Sequence, residues 1–148
     1  MKSGSIRIAE VAFGSEPYHE MVALRRRLLR TPLGLLLTQT QLEAERDQIH
    51  LALWHDGAVA GTLLAIRPDA GGTAKLRQMA VSASLQGRGL GAALVHHAET
   101  ILQPLGANRI VLSARETAVG FYRRLGYRVT GETYIEVTIP HLPMGKIL

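Results

Sequence analysis

The segment LQGRGLGAAL, residues 85–94, places Gly87, Gly89 and Gly91 at every second position, directly after the apolar run LRQMAVSAS and directly before a stretch with helical spacing. Glycine costs roughly 0.5 to 1 kcal/mol against alanine in regular structure, so a turn alone does not account for three in alternation. The pattern requires a strand that feeds a helix through a bare backbone, one that something outside the chain can approach closely. Any fold for this sequence has to contain that strand–turn–helix unit.

The flanking sequence supplies more strands and helices. SIRIAEVAF has the alternation of a first strand, and PYHEMVALRRRLLR sets Met21, Leu24 and Leu28 on one helical face, with Thr31-Pro32 ending the helix. TPLGLLLTQTQLEAERDQ reads as loop plus a short helix. IHLALW, the turn HDG and AVAGTLLAIRP form a hairpin, because Asp-Gly between two β-prone runs is a strong local signal. DAGG then turns the chain into TAKLRQMAV. Beyond the glycines, Leu94, Ala98, Ile101 and Leu105 define the buried face of a helix ending near Pro104-Leu105-Gly106. RIVLSA is a short buried strand. TAVGFYRRLGY is a helix capped by Thr117, with Ala118, Phe121 and Leu125 on one face and Gly126 as its stop. Two more strands close the chain. The order β-α-(α)-β-β-β-α-β-α-β-β describes an α/β (α+β) single domain over residues 1–148, built around one mixed sheet.

Composition limits the partners. A chain of 148 residues with 47% hydrophobic and 20% charged residues fits one globular domain. No stretch approaches the roughly 20 apolar residues of a membrane span, and MKSGSIRIAEV has no apolar signal-peptide core. The absence of cysteine excludes a disulfide framework and a cysteine nucleophile, so the expected location is cytoplasmic. A net charge of +5 admits nucleic acid, an anionic membrane or a polyanionic small molecule. Apart from LRRRLLR, residues 24–30, the basic residues are scattered, and aromatics make up 5% of the chain, too few to stack many bases. The small polyanion is favoured, with neither nucleic acid nor membrane as partner.

A helix that starts at the glycine segment offers free N–H groups and a partial positive charge, which together make an anion site. Arg88 adds a mobile charge at its rim. A Walker A loop needs Gly-Lys-Ser/Thr at its end, and Gly91 is followed by two alanines. The dinucleotide pattern G-x-G-x-x-[GA] does match from Gly87 to Ala92. Its context is wrong, because several strands precede this turn and too little chain follows it; Ala114-Arg115-Glu116, where a ribose-binding carboxylate belongs, is ambiguous.

Gln86-Gly87-Arg88-Gly89-Leu90-Gly91 resembles motif A, [QR]-x-x-G-x-[GA], of the GCN5-related N-acetyltransferase (GNAT) family, and ARETAVGFYRRLGY resembles that family's motif B. Arg115 stands where motif B commonly has asparagine. The tail EVTIPHLPM resembles a subgroup whose closing strands carry GIPH, with Thr138 in place of the glycine. The resemblance spans roughly residues 5–148 and is strongest over 75–127. It implies a mixed central sheet with helices on both faces, acetyl-coenzyme A as cofactor, and direct acetyl transfer to an amine. It also implies that the pyrophosphate rests on the amides of Gln86, Gly87, Arg88, Gly89, Leu90, Gly91 and Ala92. The pantetheine arm would add like a strand beside Met79, Ala80 and Val81. Arg115, Ala118 and Phe121 are the further cofactor-binding positions.

Tyr122 matches the family's motif B tyrosine, which lies near the coenzyme sulfur; on spacing alone it reads as a core aromatic beside Phe121. An ordinary phenol, with pKa about 10, is a weaker acid than a thiol near 8.5, so a hydrogen bond to the developing thiolate is expected ahead of full proton transfer. A lysine-like acceptor is neutral in about one molecule in 10³ to 10⁴ at pH 7, a penalty of about 4 to 5 kcal/mol, so a base or water relay must take its proton. Glu136 and His141 rank first for that role because the closing strands of this fold line the acceptor side; Glu43, Glu45, Asp47 and His50 follow. Each is read first as a solvated surface group. His96-His97 and His50 with His55 lack the spacing of a zinc motif and read as exposed histidines, so no metal is expected. The arginines of LRRRLLR are expected on the solvated face of their helix. The acceptor is a small-molecule amine or a peptide. Other classes stay open: a coenzyme-binding module without transfer, or a nucleotide- or RNA-binding protein. Oligomeric state is open too, a homodimer included, as is the use of acyl groups other than acetyl.

Overall fold

The computed structural model of the chain describes residues 5–148, so the reading of MKSGSIRIAEV falls partly outside the described residues. These fall into two compact units, residues 5–65 with 78–98, and residues 66–77 with 99–148.

In the first unit, β1 (Ile6–Val11), β2 (Ile49–His55) and β3 (Ala58–Ile66) form an antiparallel meander. The β2–β3 turn has Asp56 at φ 51° and Gly57 at φ 86°, the doubly left-handed geometry that the Asp-Gly pair favours. Ser15 caps α1 (Glu16–Arg25) by accepting from the Tyr18 N–H at 3.4 Å. Met21 of α1 packs with Ala52 and Leu64 on one face of the meander. On the other face, a Cβ at Gly61 would lie 3.2 Å from Leu94 Cδ1 of α3 (Leu90–Leu102), so helix and strand meet where the side chain is missing. Helices thus cover both faces in this unit. Leu51, Leu53, Leu63, Leu64 and Leu94 are buried, each contributing about 1.5 to 3 kcal/mol of transfer free energy.

The helix expected to run unbroken to Arg30 instead leaves α geometry after Arg25, passing through a π-helical turn over Arg26–Arg30 and a 3₁₀ turn over Thr31–Leu33. Its arginines do not all face solvent. Arg25 is buried and binds the Glu45 carboxylate through two parallel hydrogen bonds of 2.9 Å, so this charge is spent inside the unit. Glu45 lies just beyond α2 (Gln39–Glu43), the short helix expected in this region, which Thr38 and Gln41 close with a reciprocal capping box.

In the second unit, the first residues of β4 (Thr73–Val81) pair in parallel with β5 (Arg109–Arg115), from Thr73–Arg109 to Leu76–Leu112. β5 pairs antiparallel with the long β8 (Ile139–Ile147), from Arg109–Ile147 to Arg115–His141. Two expected closing strands are in fact three. Val137 at φ 44° and Thr138 at φ 68° fold β7 (Tyr134–Glu136) back on β8 as a hairpin, and β6 (Arg128–Val129) pairs with β8 separately. The expected helix face also shifts. After Leu102 the chain tightens into a 3₁₀ turn over Gln103–Leu105, so Leu102 is buried and Leu105 is 51% exposed. Thr117 does not cap α4 (Val119–Arg124): it lies inside a 3₁₀ turn over Glu116–Ala118, and Ala118 occupies the cap with no side-chain bond. In the DAGG turn Gly72 takes a left-handed φ of 87°, and a Cβ there would lie 2.4 Å from Asn108 Nδ2, so a side chain would be strained and would have to displace that of Asn108.

Candidate active site

The glycine turn lies in the first unit. Beyond β4 the Ser82 N–H donates to the Ala60 carbonyl at 2.8 Å, and a 3₁₀ turn over Ala83–Leu85 buries Leu85. The Gln86 side chain folds back, its Nε2 donating to the Val81 carbonyl at 3.1 Å, and its backbone N–H is taken by the Ala83 carbonyl at 3.3 Å, so the Gln86 amide expected in the anion cradle is spent inside the turn. Gly87 at φ 82° and Gly89 at φ 77° are left-handed, and a Cβ on either would meet no atom within 4 Å. Their bareness therefore follows from backbone conformation, and among the described residues no atom fills the space in front of them. Gly91 differs, lying inside α3. The N–H groups of Leu85 and Gln86 donate to Ser82 and Ala83, and that of Ala93 donates to Gly89. Between them, the N–H groups from Gly87 to Ala92 donate to no acceptor among the described residues. With the dipole of a 13-residue helix behind them, these groups fit a pyrophosphate. Arg88 is exposed beside them.

Of the strand positions expected to carry the pantetheine arm, Val81 is buried and Met79 and Ala80 are half-buried. Just before them Gln78 takes a left-handed φ of 57°, and its buried Oε1 has no hydrogen-bond partner. Such a residue inside a strand kinks it and re-aims the backbone that follows. The sequence held no sign of this, because glutamine is not a residue that announces positive φ.

In the second unit, Tyr122 is buried, edge-on to Phe121 with ring centroids 4.9 Å apart and to Tyr127 at 5.9 Å. Burial pushes its phenol up to about 12. Phe121 and Ala118 are half-buried, so the face of α4 turned inward is that of Tyr122, not that of Phe121. The two favoured base candidates come together. His141 is buried with Nδ1 2.9 Å from the Ile139 carbonyl, and its Nε2 lies 3.7 Å from Oε2 of the half-exposed Glu136. A carbonyl only accepts, so Nδ1 carries the proton and Nε2 keeps its lone pair when the ring is neutral. Strand register sets Arg115 and Tyr134 on either side of His141. The Tyr134 ring lies 6.2 Å from that of His141, and its hydroxyl hydrogen-bonds to Ser113 Oγ. Ser113 and Tyr134 were not among the sequence candidates. The available signal was position: Ser113 precedes Arg115 by two on the same strand and therefore shares its face.

The remaining base candidates disperse. Glu43 is exposed and takes a hydrogen bond from Arg46 Nε at 2.7 Å; Asp47 is exposed as well. Glu45 is held by Arg25. His50 is buried rather than exposed, with Nε2 3.0 Å from the Glu45 carbonyl, and burial lowers its pKa. His55 is half-buried, with Nε2 3.7 Å from Asp56; of the adjacent pair His96-His97, His96 is exposed and His97 is half-buried.

Among the described residues, a strand that delivers bare amides to a helix, four α-helices, and both antiparallel and parallel strand pairs fit the fold of the acyl-coenzyme A N-acyltransferase structures. The family model described as "Acetyltransferase (GNAT) domain" matches residues 36–148, and the chain belongs to that family. It is 32% identical over 97 residues to the uncharacterised protein YyaT of Bacillus subtilis (strain 168), a match covering 66% of this chain and 64% of YyaT. The matched stretch thus spans a little under two thirds of that relative. Among solved structures, an acyl-CoA N-acyltransferase from Pseudomonas aeruginosa superposes with a TM-score of 0.80 at 23% identity, covering 97% of this chain and 99% of that one. An aminoglycoside 6'-N-acetyltransferase complexed with coenzyme A superposes with a TM-score of 0.78 at 17% identity, covering 95% and 96%.

Proposed function

We propose that this chain transfers an acetyl group from acetyl-coenzyme A directly to a primary amine of a small molecule or peptide. The observation that carries the reading is the run of unpartnered N–H groups from Gly87 to Ala92, behind which two left-handed glycines leave the approach open. Membership of the GNAT family supports it, as does the coenzyme bound to a protein of the same fold. The His141 strand fits the IPH subgroup: Thr138 takes the left-handed conformation that favours the subgroup's glycine.

When bound, acetyl-coenzyme A supplies a thioester already activated toward an amine. The backbone from Gly87 to Ala92 would hold its pyrophosphate and Met79, Ala80 and Val81 its pantetheine arm, with Arg115, Ala118 and Phe121 as further contacts. Tyr122 is assigned the hydrogen bond to the departing sulfur. With its phenol at about 12, giving the proton to a thiolate of ordinary basicity is uphill by about 5 kcal/mol, so Tyr122 keeps its proton and stabilises charge. His141 Nε2 accepts the proton of the incoming amine, and Glu136 offsets the positive charge that forms on the ring. No side chain of this chain need be acylated.

Thermal shift with coenzyme A, NADP and RNA, followed by thiol release on adding an amine, tests the reading. The expected outcome is stabilisation by coenzyme A alone and amine-dependent thiol release. Gly89→Val should abolish that stabilisation. Stabilisation without thiol release across an amine library would leave a coenzyme-binding module and defeat the assignment of transfer.

A further inference from the structure

A groove of about 520 Å³ in the second unit is lined by strands β5, β8 and β6. Its floor is Gly145. Register sets Val111 on one side of that glycine and Arg128 on the other, and two-residue alternation brings Arg109 to the face of Val111. A Cβ on Gly145 would lie 3.6 Å from Thr130 Cγ2 and 3.8 Å from Val111 Cγ1, so a larger side chain there would occupy the groove.

The charges are one-sided. Arg109, Arg128 and Lys146 line the groove, and no aspartate or glutamate does. Lys146 is already met by Glu99, its Nζ 3.0 Å from the carboxylate. The side chains of Arg109 and Arg128 bind no acceptor among the described residues. Like charges on strands that flank a common neighbour repel, and an anion between them removes the cost. Guanidinium forks match the oxygens of phosphate and carboxylate, and the volume lies in the range of small-molecule sites. We infer that this groove binds a small oxyanion with two or more negative charges, a phosphate ester or a polycarboxylate. The site shares no residue with the glycine turn, and the inference does not depend on acetyl transfer.

Backbone amide NMR of the full chain, titrated separately with pyrophosphate, citrate and acetate, tests this. The amide signals of Val111 and Gly145 should move and saturate with pyrophosphate or citrate at concentrations where acetate moves neither. The arm with the lower midpoint identifies phosphate or carboxylate as the preferred group. Arg109→Gln with Arg128→Gln should raise the midpoint about tenfold or more, while pyrophosphate shifts at Gly87 to Ala92 persist. Gly145→Val keeps both arginines and should lose the response as well. Absence of a saturating shift at Gly145 in both polyanion arms, an equal response to acetate, or midpoints unchanged in both variants would overturn the inference.

Discussion

His141 and Glu136 face each other across the β7–β8 hairpin, with the imidazole Nε2 3.7 Å from the carboxylate and Nδ1 tied to the Ile139 carbonyl at 2.9 Å. The tie fixes which nitrogen is free. His141→Gln should lower kcat about 10²- to 10³-fold with little change in coenzyme affinity, because it removes a proton acceptor. Glu136→Gln should cost less, about tenfold, since its carboxylate acts through the ring. Steady-state kinetics with saturating coenzyme checks both; unchanged kcat in His141→Gln would remove it from the mechanism.

Tyr122→Phe should reduce kcat about 10²- to 10⁴-fold and leave coenzyme binding within a few-fold of the parent. The buried phenol also makes a pH prediction. Its pKa is raised from 10.0 to about 12, so the folded chain holds this proton more tightly than the unfolded one. The corresponding stability, about 3 kcal/mol at most, is present in full below pH 10 and is lost as pH rises through 12. Urea denaturation between pH 9 and 12 should show a weaker alkaline decline in Tyr122→Phe. Tyr127, raised by burial and by the Glu99 carboxylate, contributes a decline in the same direction that the variant retains.

Breaking the buried Arg25–Glu45 pair from one side should be costly. Glu45→Ala leaves a buried guanidinium without its carboxylate and should destabilise the fold by about 3 to 5 kcal/mol, whereas Arg25→Met with Glu45→Leu should recover most of the loss. Chemical denaturation of the single and double variants measures the difference. His50, whose pKa burial lowers from 6.5, adds an acid dependence: its stability contribution is present above pH 6.5 and is lost as pH falls below that value.

Thr138→Gly should stabilise the chain by about 1 kcal/mol, because a β-branched residue at φ 68° bears a left-handed strain that glycine does not. Thermal denaturation should show a rise of several degrees with kcat unchanged; a fall in melting temperature would mean that the threonine side chain contributes more than its conformation costs.

Much of this molecule was legible from local chemistry. The Asp56-Gly57 hairpin, the strand before Gly87, the helix after Gly89 and the stop at Gly126 each rest on backbone preferences confined to a few neighbouring residues. Some readings that failed depended on distant partners, others on a local change of helix type. Nothing near Arg25 in the chain shows that Glu45 will bury it, and nothing near Gln78 shows that its strand kinks there. Leu105 has the right spacing for a helix face, but the 3₁₀ turn around Pro104 changes the phase and turns it outward.

The same division runs through the functional groups. The order of residues by itself determined the bare amides at the start of α3 and the family to which the chain belongs, because the first is a property of one short segment and the second of a few short motifs in a fixed order along the chain. Only the tertiary structure decided that His141 meets Glu136 and lies between Arg115 and Tyr134, that Ser113 holds Tyr134, and that Arg109 and Arg128 share a groove. Strand register makes those neighbours, and register is set by pairing between segments far apart in the chain.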